Sequence, residues 1–287
     1  MYVVTGATGA LGRLAVDALL ERVPADEVRA TGRRVETLDD LAARGVDVRR
    51  ADYDDPATLT AAFAGATRVL FVSGSEVGAR VPQHRAVVDA LTATDVELVA
   101  YTSILHAQTS DMVLAREHAA TERMLSDAGL PHVLLRNGWY VENFLADVAG
   151  DVERGMVGAS GAGRFDAATR EDYARAAVAT LTGGAVAGDV LELGGPGFTR
   201  AELAAEIGRV AGRDVPYTDL TVAAYTEALV RAGLAEPFAA VLADSDRGAA
   251  AGWLTAPGDD LARLLGRPAT PWTGVVDAAA REAAATV

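Results

Sequence analysis

Three glycines stand at Gly6, Gly9 and Gly12, inside the run Thr5-Gly6-Ala7-Thr8-Gly9-Ala10-Leu11-Gly12. A short β-rich run precedes it and a helical pattern follows. Each glycine answers a separate need of a bound dinucleotide. The first permits a tight turn, the middle one lets a pyrophosphate approach the backbone, and the third lets the helix pack close to the strand. The helix N-terminus then offers free N–H groups to the phosphates, so Gly6, Thr8, Gly9, Ala10, Leu11 and Gly12 are the expected cradle. The ribose-reading position lies about 20 residues further on, at the end of the second strand. Arg33 occupies it, 21 positions past Gly12. A carboxylate there would bind a ribose 2′-OH, whereas a guanidinium suits the 2′-phosphate of NADP(H). The bland alternative is a solvated arginine. Asp52 and Tyr53 follow the third strand. They are placed to flank an adenine, Asp52 accepting from its amino group and Tyr53 stacking, or else to form an ordinary loop.

The proton-moving side chains are few. A common dehydrogenase device sets a lysine four residues after a tyrosine to lower the tyrosine's pKa. The tyrosines are at 2, 53, 101, 140, 173, 217 and 225, and all 26 basic residues are arginine. That device is therefore excluded, as is a lysine Schiff base. No cysteine is present, which excludes disulfides, zinc–thiolate sites and cysteine nucleophiles. His84, His106, His118 and His132 have gaps of 22, 12 and 14. With no i,i+4 pair among them, no metal site is expected. His106 follows the fifth strand at the sheet's carboxyl edge. It can donate to a substrate oxygen there, or be a surface loop histidine. Glu76 fits a cofactor-proximal loop or the opening of a helix. Arg136 ends a strand and can pair with an internal carboxylate. Trp139, Tyr140 and Phe144 offer a flat wall to a ring substrate, or core packing.

Strands alternating with helices must position these groups. Apolar runs at Tyr2–Thr5, Val28–Thr31, Val46–Arg49, Arg68–Val72, Val96–Tyr101 and His132–Leu135 predict strands. Helical spacing predicts helices over Leu11–Arg22, from Asp55-Pro56 to Gly65, and over Pro82–Thr92 and Leu114–Ala128. The fold class is α/β: a doubly wound parallel sheet of Rossmann type over 1–150, with a smaller C-terminal α/β lobe over 151–287. A strand near 190–194 is placed to return to the main sheet. Val152–Gly163 reads as loop or hairpin, Asp172–Leu181 as helix, and Thr199–Glu202 as a capping box. Short helices are expected beyond Gly212, ending in an alanine-rich helix over Asp277–Val287.

The chain has 287 residues, 50% apolar and 23% charged, with a formal net charge of −14. Such composition supports a sizeable core. A surface this acidic repels phosphate backbones and anionic lipid, so no nucleic acid and no membrane insertion are expected. No apolar run approaches the ~20 residues of a membrane span. With a strand expected from Tyr2, no signal peptide is expected. The expected setting is cytoplasmic. A homodimer is left open.

Several segments together resemble a known family. They are Thr5–Gly12, Arg33, Ala51-Asp52-Tyr53, Ser73-Gly74-Ser75-Glu76-Val77-Gly78, Tyr101-Thr102-Ser103, Leu135–Tyr140, Glu142-Asn143, Ala168-Thr169-Arg170, Asp172-Tyr173-Ala174, Leu242–Asp246 and Leu264–Pro268. They are similar to the NmrA-like group of atypical short-chain dehydrogenase/reductases, and most of all to its flavin-free bacterial NAD(P)H:quinone oxidoreductases. The likeness spans nearly the whole chain. It implies direct hydride transfer from NADPH to a quinone-like small molecule. It implies that Ser73, Gly74 and Ser75 line the cofactor, and that Asn137, Gly138, Trp139 and Tyr140 pass near the nicotinamide. Relatives often carry a lysine a few residues past the arginine. Thr37 stands there, which softens the NADPH preference unless Arg34 compensates.

A quinone takes hydride readily, and its product oxyanion can collect a proton from water, so position and orientation suffice without the missing lysine. Tyr140 and Asn143 are the expected donors to the acceptor, with His106 a third candidate. Two other readings remain: an NADP(H)-binding sensor of the same group with little turnover, and a reductase of another activated acceptor such as an imine or enone.

Overall fold

Valine-rich runs bounded by glycine and polar turns become strands, and the helical patterns between them become crossovers. The computed structural model describes residues 1–286, so the final residue of the helix expected over 277–287, Val287, lies outside the described residues. The first half runs β1 (Tyr2–Val4), α1 (Ala10–Leu20), β2 (Val28–Gly32), α2 (Asp39–Ala43), β3 (Asp47–Arg50), α3 (Pro56–Phe63), β4 (Arg68–Phe71), α4 (Arg80–Thr92), β5 (Leu98–Ile104), α5 (Val113–Asp127) and β6 (His132–Asn137). The second half runs α6 (Val148–Arg154), β7 (Met156–Gly158), β8 (Arg164–Phe165), α7 (Arg170–Ala179), β9 (Val190–Leu193), β10 (Phe198–Thr199), α8 (Arg200–Ala211), β11 (Tyr217–Asp219), α9 (Val222–Arg231), α10 (Glu236–Ala250), α11 (Asp260–Leu265) and α12 (Trp272–Thr286).

Seven strands form one parallel sheet in the order β3-β2-β1-β4-β5-β6-β9. Helices cover both faces, so a central strand reads as continuously apolar; all seven residues of β5 are buried. One face packs on α1, α7 and α11 through Leu11, Val16, Leu19, Tyr173, Val178 and Leu261. The other packs on α3, α4 and α5 through Phe63, Val87, Leu91, Met124 and Leu125. A third core, around Phe144, Phe165, Phe198, Leu203 and Ile207, holds α6, α8 and α12 together. Strand order reverses between β1 and β4. There the crossovers diverge to opposite faces and leave a crevice beyond the carboxyl ends of the strands.

β9 does return to the main sheet, pairing parallel to β6 from Leu134↔Val190 to Asn137↔Leu193. The capping box at Thr199 and Glu202 opens α8 with both reciprocal bonds present. Other expectations need correction. The 152–163 stretch is no hairpin: it completes α6 and then forms β7, whose partner β11 arrives in parallel from 217–219. β5 starts two residues late and runs on to Ile104, because β6 extends beside it to Asn137. The C-terminal third holds two helices of 15 residues, α10 and α12, where short helices are expected.

Candidate active site

The site begins where β1 ends. Gly6 has φ +61°, a left-handed angle that favours glycine, and Gly9 N–H closes the turn on the Gly6 carbonyl at 2.9 Å. A Cβ at Gly12 would run into the Gly6 carbonyl, so only glycine lets α1 descend so close to the loop. Gly9 is the N-cap of α1 and has no side chain to cap with. The first-turn N–H groups therefore face the crevice unspent by any side chain, carrying the positive end of the helix dipole. Gly32 lies under this loop. A Cβ there would come within 2.6 Å of Thr8 Cγ2, so β2 can approach the phosphate turn only as glycine.

Arg33 follows and is exposed; its Nη1 donates to Glu76 Oε1 at 2.7 Å. Glu76 thus belongs to the cofactor-proximal loop rather than to the first turn of α4. Arg34 does not line the crevice, and Thr37 Oγ1 donates to the Arg34 carbonyl at 2.8 Å, so neither adds to the cation at Arg33. Asp52 lines the cleft while accepting from Asp54 N–H at 3.2 Å and pairing with Arg50 at 3.5 Å. The Tyr53 hydroxyl is held at 2.6 Å from Thr5 Oγ1 and 2.9 Å from the Val72 carbonyl. Its ring meets Phe71 and His84 edge-on at 5.9 and 6.1 Å. Burial raises this phenol's pKa, and Tyr53 serves as a fixed wall.

The loop after β4 carries Ser73, Gly74 and Ser75 and is held from below. Ser73 N–H donates to Thr102 Oγ1, and Gly74 N–H donates to His84 Nε2, both at 2.9 Å. Thr121 donates to the Glu117 carbonyl at 3.0 Å, so it must accept from His84 Nδ1 at 2.8 Å. That leaves Nε2 as the acceptor and His84 neutral. Burial and the nearby Arg80 push its pKa down to about 3. Arg80 Nε donates to the Gly74 carbonyl at 2.7 Å, and Glu117 joins Arg80 to Gly78 N–H.

At the far end of the crevice, β6 delivers Asn137. It is 5% exposed, and its Oδ1 has no hydrogen-bond partner among the described residues. Gly138 is needed because a Cβ would meet the Asp166 carbonyl at 2.6 Å. Tyr140 packs on Tyr173, with the Arg170 guanidinium 5.3 Å over its ring. Burial raises the Tyr140 pKa, so the phenol keeps its hydrogen. Arg170 Nη2 donates to Asn143 Oδ1 at 2.6 Å, which turns the Asn143 amide nitrogen into the free donor. Glu142 in turn accepts from Arg170 N–H at the head of α7. Trp139 is half-buried against the third core and also lines the cleft.

Beneath this wall, Arg136 pairs with Glu122 at 2.7 Å and Glu192 at 2.8 Å, the internal partners its type suggests. Glu192 also accepts from His106 N–H at 3.0 Å. His106 is a correction. It adopts φ +55°, its Nε2 donates to the Thr255 carbonyl at 2.8 Å, and its ring lies against Trp253. It does not line the cleft, so the expected donation to a substrate has no geometry behind it. Arg170, Arg200 and Tyr225 line the cleft without having been singled out as site residues.

The Gly6–Gly12 loop, Arg33, Tyr53, the Ser73–Ser75 loop and the Asn137–Tyr140 segment share one cleft of about 1700 Å³, which runs past Tyr140 to a chamber under α9 and α10. The residues present fit an NADP(H) molecule. A glycine cradle that a side chain would fill, an uncapped helix, the Arg33 cation past β2 and an orphaned carbonyl at Asn137 Oδ1 are spread along its length. Among the described residues no three metal-ligating side chains cluster, and no helix is long and apolar enough to cross a membrane.

A doubly wound sheet with this cradle at its switch point defines a Rossmann-type dinucleotide-binding protein. Residues 6–183 match the NAD(P)H-binding family. Over 272 residues, 94% of this chain and 95% of the relative, the chain is 45% identical to quinone oxidoreductase 2 of Escherichia coli K12. The crystal structure of the NADPH-dependent quinone oxidoreductase of Escherichia coli, complexed with NADPH, superposes with a TM-score of 0.94 at 44% identity, over 97% of this chain and 99% of that one. The triphenylmethane reductase of Citrobacter sp., complexed with NADP(H), superposes with a TM-score of 0.92 at 34% identity, over 97% and 100%. The chain belongs to the NAD(P)H-binding, NmrA-like family.

Proposed function

We propose that the chain is an NADPH-dependent reductase of quinones that works without flavin. The observation that carries this reading is the continuity of the cleft. One end holds the glycine cradle and the other opens into a chamber lined by Phe144, Met156, Leu229 and Phe238, with hydroxyl and amide donors between them. A sensor of NADP(H) has no need of that chamber. The 45% identity to quinone oxidoreductase 2 supports the same acceptor class. A cytoplasmic setting fits a cysteine-free chain of charge −14.

The division of labour follows from chemistry. The N–H groups of Ala10, Leu11 and Gly12 would hold the pyrophosphate, and Arg33 the 2′-phosphate. Ser73, Gly74 and Ser75 would line the middle of the cofactor. Asn137 Oδ1 is the acceptor left for a carboxamide N–H. When bound, NADPH supplies the hydride. Tyr140 O–H and the Asn143 amide donate to the acceptor oxygen as negative charge develops there, with the Arg170 cation behind both. The walls hold the acceptor ring and exclude water, and the product oxyanion takes its proton from solvent at the mouth.

Purified protein mixed with NADPH and a panel of quinones, followed by cofactor absorbance, tests the reading. Steady turnover is expected. Tight NADPH binding with no turnover for any quinone would replace the reductase with a sensor.

A further inference from the structure

The chamber beyond Tyr140 contains a charge pair that the cofactor site does not use. Arg200 opens α8 with its side chain 12% exposed, and Asp246 of α10 is 2% exposed. Arg200 Nη2 and Nε donate to the two carboxylate oxygens at 2.6 and 2.7 Å. Rings of Phe144, Phe165 and Tyr225 surround the guanidinium at 5.3, 5.5 and 5.5 Å. Gly158 leaves it room, since a Cβ there would come within 2.6 Å of Arg200 Nε. Apolar residues of equal volume would fill this place without the cost of desolvating two charges, so stability alone does not explain the pair.

Its effect is visible at Tyr225. Arg200 Nη2 also donates to the Tyr225 hydroxyl oxygen at 3.2 Å. A phenol that accepts there must send its own hydrogen elsewhere, and no acceptor receives it among the described residues. Tyr225 is 5% exposed and lines the cleft. The chamber wall around it mixes apolar side chains with Asp147, Asp151, Arg154 and Asp246, and a buried, unspent O–H there is a donor for a ligand oxygen. Phe144, on which Arg200 stacks, ends the turn Val141–Phe144 that carries Asn143, so both sets of donors belong to one wall. Asp246 neutralises Arg200, and Arg154 is taken by Asp147 at 2.7 Å. The pole therefore suits a neutral oxygen rather than an anion.

We propose that Tyr225 binds the far oxygen of a two-oxygen ring acceptor, with Arg200 and Asp246 as positioning residues that turn its phenol hydrogen into the cleft. The acceptor class is a neutral para-quinone whose second carbonyl lies across the ring from the one near Tyr140 and Asn143. This rests on the quinone reading above.

The test uses parent protein, Tyr225→Phe and Arg200→Lys, each saturated with NADP⁺. Each is titrated by tryptophan quenching with 1,4-naphthoquinone and with 1-tetralone, which shares the fused frame but lacks the far carbonyl. Tyr225→Phe should lose about tenfold in naphthoquinone affinity, the size of one hydrogen bond, with its tetralone affinity and melting temperature unchanged. In turnover, KM should rise by the same factor with kcat held within about twofold. Arg200→Lys keeps a charge beside Asp246 without the planar fork, and should show the same selective loss in smaller degree. Equal losses for the two probes, or none, would overturn the proposal. Naphthoquinone binding by the parent without any turnover would sink the reductase reading alone.

Discussion

Arg33 Nη1 lies 2.7 Å from Glu76 Oε1, so the cation just past β2 is shared with a carboxylate from the loop after β4. Both side chains are exposed, at 58% and 46%, and a surface pair of this kind contributes little to stability. Its consequence lies in cofactor choice. A 2′-phosphate must compete with Glu76 for the guanidinium. Arg33→Ala should weaken NADPH by ~1.5–3 kcal/mol, about ten- to hundredfold, and leave NADH nearly unchanged. Glu76→Gln should tighten NADPH a few-fold, more at low salt than at high. Dissociation constants for both cofactors in the two variants decide this; equal effects on NADPH and NADH would remove Arg33 from the ribose site.

The cradle can be tested at Gly9. Its backbone angles, φ −94° and ψ 163°, suit any residue, and a Cβ would sit 3.3 Å from the Gly6 carbonyl. Gly9→Val should therefore fold with a melting temperature a few degrees lower at most, yet bind no dinucleotide because the added methyls occupy the phosphate approach. An NADPH titration matching the parent's would refute the assignment.

At the acceptor wall, Tyr140→Phe and Asn143→Ala each delete a donor used mainly as charge develops. Turnover at saturating NADPH should fall ~10–100-fold, with cofactor affinity nearly unchanged. Arg170→Gln should act in the same direction, since Arg170 Nη2 fixes Asn143 at 2.6 Å and its guanidinium lies over the Tyr140 ring. Parent-like rates in normally melting proteins would mean that this wall only packs.

Asp151 of α6 gives a pH signature. Burial, reinforced by Asp147, lifts its carboxyl from an ordinary 3.8 to about 6, although Arg200 and Arg154 pull the other way. A raised carboxyl favours the folded state only while protonated. Its relative contribution is complete below pH 3.8 and is lost as pH rises through about 6. Asp151→Asn should therefore stabilise by ~1–2 kcal/mol above pH 7, after allowance for solvent screening, and by much less near pH 4. Thermal melts across that range should show a widening gap between the two proteins. A gap that stays constant would contradict the shift.

The cradle was legible because its logic is local: Gly6, Gly9 and Gly12 are fixed by one turn and one helix, and Arg33 by a strand of known length. Family likeness marked the Asn137–Asn143 segment, and Asn137, Gly138, Trp139, Tyr140, Glu142 and Asn143 do line the cleft. His106 was misread because its partners, Trp253 and Thr255, come from almost 150 residues later, and no local pattern announces them. Arg200 presents itself in sequence only as the first helical residue after a capping box. Its burial depends on α10 delivering Asp246 and on Gly158 making room. The 152–163 stretch reads as loop or hairpin because β11, the strand that pairs with it, has no signature near it in sequence.

β9 pairs with the last strand of the cofactor-binding half, although it follows α6, α7 and two short strands. The edge of β6 has no partner strand until residues 190–193, about two-thirds of the way along the chain, so a chain folding from its N-terminus carries an unpaired sheet edge up to that point. The same threading ties the Asn137–Asn143 wall proposed for the acceptor to the sheet that carries the glycine loop. Gly138 N–H is bonded to the Leu193 carbonyl at 2.8 Å, so the two halves cannot hinge apart between 137 and 138 without first unzipping a strand.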